Sequence, residues 1–181
     1  MQEHDFPAKK ERDPIAEALE LMVYGLYIIG SRKDGDVNGM MADWVMQVSF
    51  RPRLLLLALE NDARTLENVR ATGVFSVNIL GEESFELAKR FAQPYYAAKV
   101  SGRPEEEAAK VYHKLADVPY RPGPRTGCPI LEAAMAWLEC EVETEFPAGD
   151  HTLVIGRVVG GEVRRPGRAL TSEVTGWTYA G

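Results

Sequence analysis

The feature that most restricts what this chain can fold into is a succession of β-type segments separated by turn chemistry. Leu21–Gly30 is β-branched, aromatic and apolar, and Lys33-Asp34-Gly35-Asp36 after it has the composition of a hairpin turn. The return strand is expected over Val37–Ser49, with Arg51-Pro52 interrupting it. Leu54–Leu59 is apolar on both faces and predicts a buried strand. Val74–Leu80 reads as the fourth strand, with Phe75, Val77 and Ile79 alternating with Ser76 and Asn78. Ala134–Glu145 sets Met135, Trp137, Leu138, Cys140 and Val142 against Glu139, Glu141 and Glu143. Pro147–Asp150 turns the chain, and His151–Val163 returns as a long strand with a Gly-rich middle. Strands joined this way, with few helices, predict a mainly β fold with flanking helices, a closed or half-closed antiparallel barrel.

The helices are short and flank the strands. Residues 1–13 read as a mobile arm, and Pro14 suits the first helical position ahead of Ile15–Glu20. Capping candidates in Asn61-Asp62-Ala63-Arg64-Thr65 start a helix near Ala63, and Thr72-Gly73 ends it. Glu82–Ala92 is a second helix. Residues 93–127 carry prolines, glycines and charges around a short helix at Pro104–Leu115, an excursion outside the barrel. Residues 14–181 form one domain on this reading, as the length of 181 residues suggests.

Composition excludes several functions. The longest apolar runs, Leu26–Ile29 and Leu54–Leu59, are far short of the ~20 residues that span a bilayer. The charged start has no export signal, which predicts the cytoplasm and no membrane. Net charge is −6, and the basic residues are scattered apart from Lys9–Arg12 and Arg164–Arg168, which argues against nucleic acid. Cys128 and Cys140 with three dispersed histidines do not make a metal site, and Cys140 reads as a core residue. No Gly-x-Gly-x-x-Gly, Walker or Gly-x-Ser-x-Gly motif is present.

Five blocks occur in a particular order: Asn38-Gly39-Met40-Met41-Ala42 with Val48-Ser49 and Pro52; Arg64-Thr65; Gly73–Leu80 with Leu87–Ala92; Leu131-Glu132 leading to Ala136–Cys140; and Gly149-Asp150-His151 with Gly156-Arg157-Val158. Over residues 22–163 the chain resembles the flavin reductase-like, FMN-binding split-barrel family, which includes the flavoredoxins. The resemblance implies a Greek-key split β-barrel and a homodimer with FMN near the subunit interface. It also implies reduction of FMN, with FAD as the alternative flavin, by NADH or NADPH as transient donor. A redox protein or a monooxygenase is the implied partner.

Within that resemblance, Asn61–Thr65 at a helix start is the expected phosphate site, because free N–H groups and the helix dipole favour an anion. Thr65 offers a hydroxyl, Arg64 a charge, and Lys89 or Arg90 approaches from the second helix. The residues alone also allow a helix capped by Asp62 or Thr65 with Arg64 solvated; the resemblance favours phosphate binding. Met41-Ala42-Asp43-Trp44 matches the segment that lines the flavin. Met41 and Asp43 stand where the family often has Thr or Ser, and Asp43 would repel a phosphate. Ala63 replaces a further hydroxyl, a loss of roughly 0.5–1.5 kcal/mol. Trp44 either stacks near the ring or fills core, and Phe91 either packs at the flavin edge or belongs to the core. His151 matches a histidine beside the flavin and the incoming nicotinamide; read alone, it equally suits a turn-end histidine bonded to a backbone carbonyl. Trp177 and Tyr179 either cover the pocket or reach a second subunit, and His4 and His113 receive no role. Three functions follow: a flavin reductase, an FMN electron carrier, or a cofactor-free barrel acting as a binding module.

Overall fold

The computed structural model describes residues 13–93 and 113–177. The strands are β1 (Tyr27–Lys33), β2 (Asp36–Ala42), β3 (Val45–Phe50), β4 (Arg53–Glu60), β5 (Val74–Ile79), β6 (Tyr120–Pro122), β7 (Pro129–Leu131), β8 (Ala136–Ala148) and β9 (His151–Val163). The helices are α1 (Pro14–Glu20), α2 (Arg64–Thr72), α3 (Phe85–Ala92) and the short α4 (Ser172–Thr175). Seven strands make one antiparallel sheet in the order β2-β1-β5-β8-β9-β4-β3.

The two edge strands, β2 and β3, are consecutive in the chain and separated only by Asp43 and Trp44. A flat seven-stranded sheet is roughly 29 Å wide at ~4.8 Å per strand spacing. A two-residue link reaches about 11 Å at most. The sheet therefore has to curl until its edges approach; the Ala58 N–H donates to the Trp44 carbonyl at 3.0 Å and carries the β3–β4 pairing into the link. The result is a half-closed barrel.

This link corrects the single strand expected over Val37–Ser49. Both halves of that stretch are β-type, so alternation does not reveal the crossing between them. The first strand is also shorter than Leu21–Gly30: Leu21, Met22 and Val23 are exposed, and regular pairing begins at Tyr27. Val74–Ile79 is accordingly the fifth strand.

Inside the curl, Ile29, Leu55, Leu57, Phe75, Val77 and Val154 pack together, and Leu66 and Val69 of α2 close one end. Gly73 ends α2 in the left-handed conformation (φ 70°), where glycine carries no Cβ penalty. On the other face Ile28, Leu80 and Leu170 pack with Ala88 and Phe91 of α3 and with Leu115 and Val118. Asp13 caps α1, its side chain accepting from the Ile15 N–H at 2.9 Å.

Residues 94–112, with most of the expected Pro104–Leu115 helix, lie outside the described residues, as do residues 1–12 of the arm. From Lys114 onward the segment packs onto the sheet. The β6–β7 hairpin covers β5, which is why Ser76 and Asn78 are buried although they alternate with apolar residues. Both donate to the Pro129 carbonyl, at 2.7 and 3.2 Å, and Asn78 accepts from the Leu131 N–H at 2.7 Å. Glu139 is buried for the same reason and accepts from the backbone N–H groups of Arg125 and Thr126 and from the Thr126 hydroxyl. Cys128 and Cys140 are buried free thiols; burial, with the nearby Glu139 and Cys128, pushes the Cys140 thiol up to about 12. Among the described residues no helix is long and apolar enough to cross a membrane.

Candidate active site at the barrel seam

A cavity of about 340 Å³ opens where the sheet edges meet. Its walls come from β2, the Asp43-Trp44 link, the end of β4, the start of α2 and the end of α3. The sheet curl brings these elements together although Asn38 of β2 and Ala92 of α3 are far apart in the chain.

One end is rich in donors. Ala63 is the N-cap of α2 and makes no side-chain cap hydrogen bond. The N–H groups of a first helical turn have no intrahelical acceptor. Thr65, 1% exposed, lies in that turn, and Asn38 Nδ2 donates to its hydroxyl oxygen at 3.3 Å. Arg64 lines the cavity and pairs with Glu67 at 3.4 Å. Lys114, 3% exposed, also lines it, with Nζ donating to the Phe91 carbonyl at 3.3 Å.

The rest of the wall is mainly apolar: Leu26, Met40, Met41, Ala58, Phe91 and Trp177. Trp177 packs on Phe85 with ring centroids 5.0 Å apart. At the seam, the Trp44 and His151 rings lie 4.7 Å apart at 38°. His151 Nδ1 sits 2.6 Å from Asp150 Oδ1, and the histidine's hydrogen bond and charge hold the Asp150 carboxyl below its ordinary range. Burial raises the Asp43 carboxyl above its ordinary 3.8, against the opposing pull of the Asp43 and Trp44 backbone N–H groups and the His151 charge.

Of the contacts expected from sequence, Met41, Ala42, Asp43 and Trp44 line the cavity with Ala63, Arg64, Thr65, Phe91 and His151. Asn61, Lys89 and Arg90 do not. Asn61 instead fastens the β8–β9 turn, donating to the Gly149 carbonyl at 3.2 Å. Lys89 pairs with Glu86 at 2.6 Å, and Arg90 donates to the Ala116 carbonyl. The cation on this side is Lys114. It falls near the end of the helix expected over Pro104–Leu115, where nothing local marks it as facing the cavity, so sequence reasoning missed it. Asn38 stands in the first matching block, yet nothing local marks it as a partner of Thr65. Trp177 lines the cavity, while Tyr179 and His4 lie outside the described residues.

The donor set suits a ligand with an anionic tail and a flat ring. Helix N–H groups, Thr65, Arg64 and Lys114 can hold the tail, and the apolar wall can take the ring. This is the residue chemistry a flavin mononucleotide asks for.

Several known proteins are similar to this chain. The flavin reductase (NADH) of Kitasatospora aureofaciens is 34% identical over 132 residues, covering 72% of this chain and 61% of that protein. The ferric-chelate reductase (NAD(P)H) of Archaeoglobus fulgidus is 30% identical over 157 residues, covering 86% of this chain and 85% of that one. The crystal structure of nitrilotriacetate monooxygenase component B from Mycobacterium thermoresistibile superposes with a TM-score of 0.71 at 27% identity, over 86% of this chain and 79% of that one. The chain spans only 24% to 64% of the length of four of the relatives it matches, the Kitasatospora protein among them. The family model of the flavin reductase like domain matches residues 19–173, and the chain belongs to that family.

Proposed function

We propose that this chain is an NAD(P)H-dependent flavin reductase that holds FMN in the seam cavity. The observation that carries this reading is the start of α2, with Arg64 and buried Thr65 and Lys114, opening into the same cavity that His151 and Trp44 border. A flavin bound there supplies a ring that takes up the hydride, with its two electrons, of a reduced nicotinamide.

The chain's residues do the rest. Arg64, Lys114 and the α2 N–H groups hold the phosphate, and Thr65 donates to it while accepting from Asn38. Met40, Met41 and Ala58 exclude water from one side of the ring. Asp43 would accept from a hydroxyl of the ribityl chain. His151 meets the carboxamide of the incoming nicotinamide, and Trp44 holds the imidazole plane.

A homodimer belongs to the same proposal. The outward face of β3, β4, β9 and β8 is apolar: Met46 stands opposite Leu56, Leu56 opposite Ile155, and Phe146 opposite Leu153. Met46 and Phe146 are exposed, and no element among the described residues covers them. A contiguous apolar face of this kind marks a protein interface. A monooxygenase that consumes reduced flavin is the proposed downstream partner, in keeping with the component B relative.

The test is the visible spectrum of the protein with FMN or FAD, followed by NADH and NADPH oxidation under air. A flavin spectrum and nicotinamide oxidation support the reading. Flavin that stays oxidised with both nicotinamides yet accepts electrons from a redox protein makes the chain a carrier. A preparation that binds neither flavin leaves only the binding module.

A further inference from the structure

We infer that Asp150 and Asn61 are positioning residues for His151: Asp150 holds the imidazole as its Nδ1–H tautomer, and Asn61 fixes the turn that carries both. Its consequence for turnover rests on the proposed reading of the cavity, whereas the tautomer does not.

The turn between β8 and β9 is Gly149-Asp150, with Gly149 at φ +63°. A two-residue hairpin tip is normally among the more mobile parts of a sheet. Here Asn61, just beyond β4, grips it three times. Its N–H donates to the Asp150 carbonyl at 2.9 Å, and Nδ2 donates to the Gly149 carbonyl at 3.2 Å. Its Oδ1 accepts from the Thr152 hydroxyl at 2.8 Å. The residues on both sides of His151 are thereby tied to the strand end that forms the cavity wall.

The side chain of Asp150 reaches back to the ring. Oδ1 lies 2.6 Å from Nδ1, with the carboxylate 94% exposed and the imidazole 10% exposed. An ionised carboxylate only accepts, so Nδ1 must carry the hydrogen. Nε2 is then the acceptor nitrogen of the neutral ring. An exposed carboxylate keeps most of its hydration, so the contact orders the ring at little desolvation cost. Other carboxylates on this side are Asp43, whose charge interacts with His151, Glu60, its cross-strand partner, and Asp62 in the same cavity wall; Nδ1 pairs with Asp150.

The tautomer matters because the nicotinamide carboxamide has an NH2 group to donate. A ring with its hydrogen on Nε2 meets that NH2 donor to donor. Asparagine at position 150 is nearly isosteric, but its amide N–H can donate to Nδ1 and favour the wrong tautomer.

The experiment uses the full chain labelled with 15N-histidine, with two-bond nitrogen–proton correlation spectra recorded at mildly alkaline pH. Wild type should show Nδ1–H for His151. Asp150→Asn and Asn61→Ala should show Nε2–H or a mixture, and Asp150→Glu should restore Nδ1–H. In anaerobic rapid mixing with NADH, Asp150→Asn should reduce bound flavin about tenfold more slowly, the scale of one charge-assisted hydrogen bond, with FMN affinity unchanged. An unaltered tautomer in Asp150→Asn overturns the inference. A changed tautomer with an unchanged rate upholds the pairing and removes His151 from the proposed reaction. Asp150→Ser, which fits any exposed turn, checks that the fold survives at this position.

Discussion

Asp43 is one of three carboxylates in the cavity wall, with Glu60 and Asp62. Burial raises its folded value above the ordinary 3.8. A raised carboxyl binds its proton more tightly folded than unfolded, so its favourable contribution is full below 3.8 and lost as pH rises through the folded value. Asp43→Asn should therefore raise the melting temperature at neutral pH, with the gain fading as the pH falls toward 3.8, as thermal melts across that range would record. A gain that persists unchanged in acid would show that burial of the charge is not the cause. His151→Ala addresses the neighbouring ring. It should slow flavin reduction by roughly 10²-fold, within the usual range for a positioned polar group, and change FMN affinity much less. Equal losses in rate and affinity would make His151 a binding residue only.

At the scale of elements, the cavity depends on how closely α3 approaches β2. A Cβ on Gly39 would meet the Phe91 ring at 2.6 Å, so the glycine is what lets Phe91 lie flat against the strand and form the cavity floor. Gly39→Ala should cost about 1–3 kcal/mol by overpacking, read from the urea midpoint. It should also weaken FMN binding, because Phe91 lines the cavity. Stability unchanged in this variant would mean that α3 moves without penalty. Gly156 plays the same part inside the curl, where a Cβ would stand 2.6 Å from the Phe75 ring.

For the whole molecule, the curl decides two things together. It brings the β2 and β3 edges to one seam, and it turns an apolar face outward on the strands beside that seam. If that face joins two copies, Leu56→Glu places a charge in the interface while Leu57, its inward neighbour, keeps the core intact. Analytical ultracentrifugation should then show a dimer for wild type and a folded monomer for the variant. A dimer that persists in Leu56→Glu would locate the contact elsewhere. Flavin in excess should also stabilise the fold by mass action, by about 2.7 kcal/mol at a hundred times its dissociation constant.

Sequence by itself determined the mainly β class and most strands of the large sheet, because side-chain alternation and turn residues are local. It showed the buried β4, the α2 start with Arg64 and Thr65, the Gly-Asp-His turn and, through the ordered blocks, the family. Tertiary structure alone decided which residues share the cavity. Nothing local marks Lys114 as facing the cavity, while Lys89 and Arg90, on a helix of the expected kind, are turned toward other partners. The break at Asp43-Trp44 is likewise silent in sequence, since β-type residues continue across it. Only closure of the sheet places those two residues at a seam, and Asn61 beside the His151 turn, because pairing across the β4–β9 ladder is a long-range contact that no local pattern encodes.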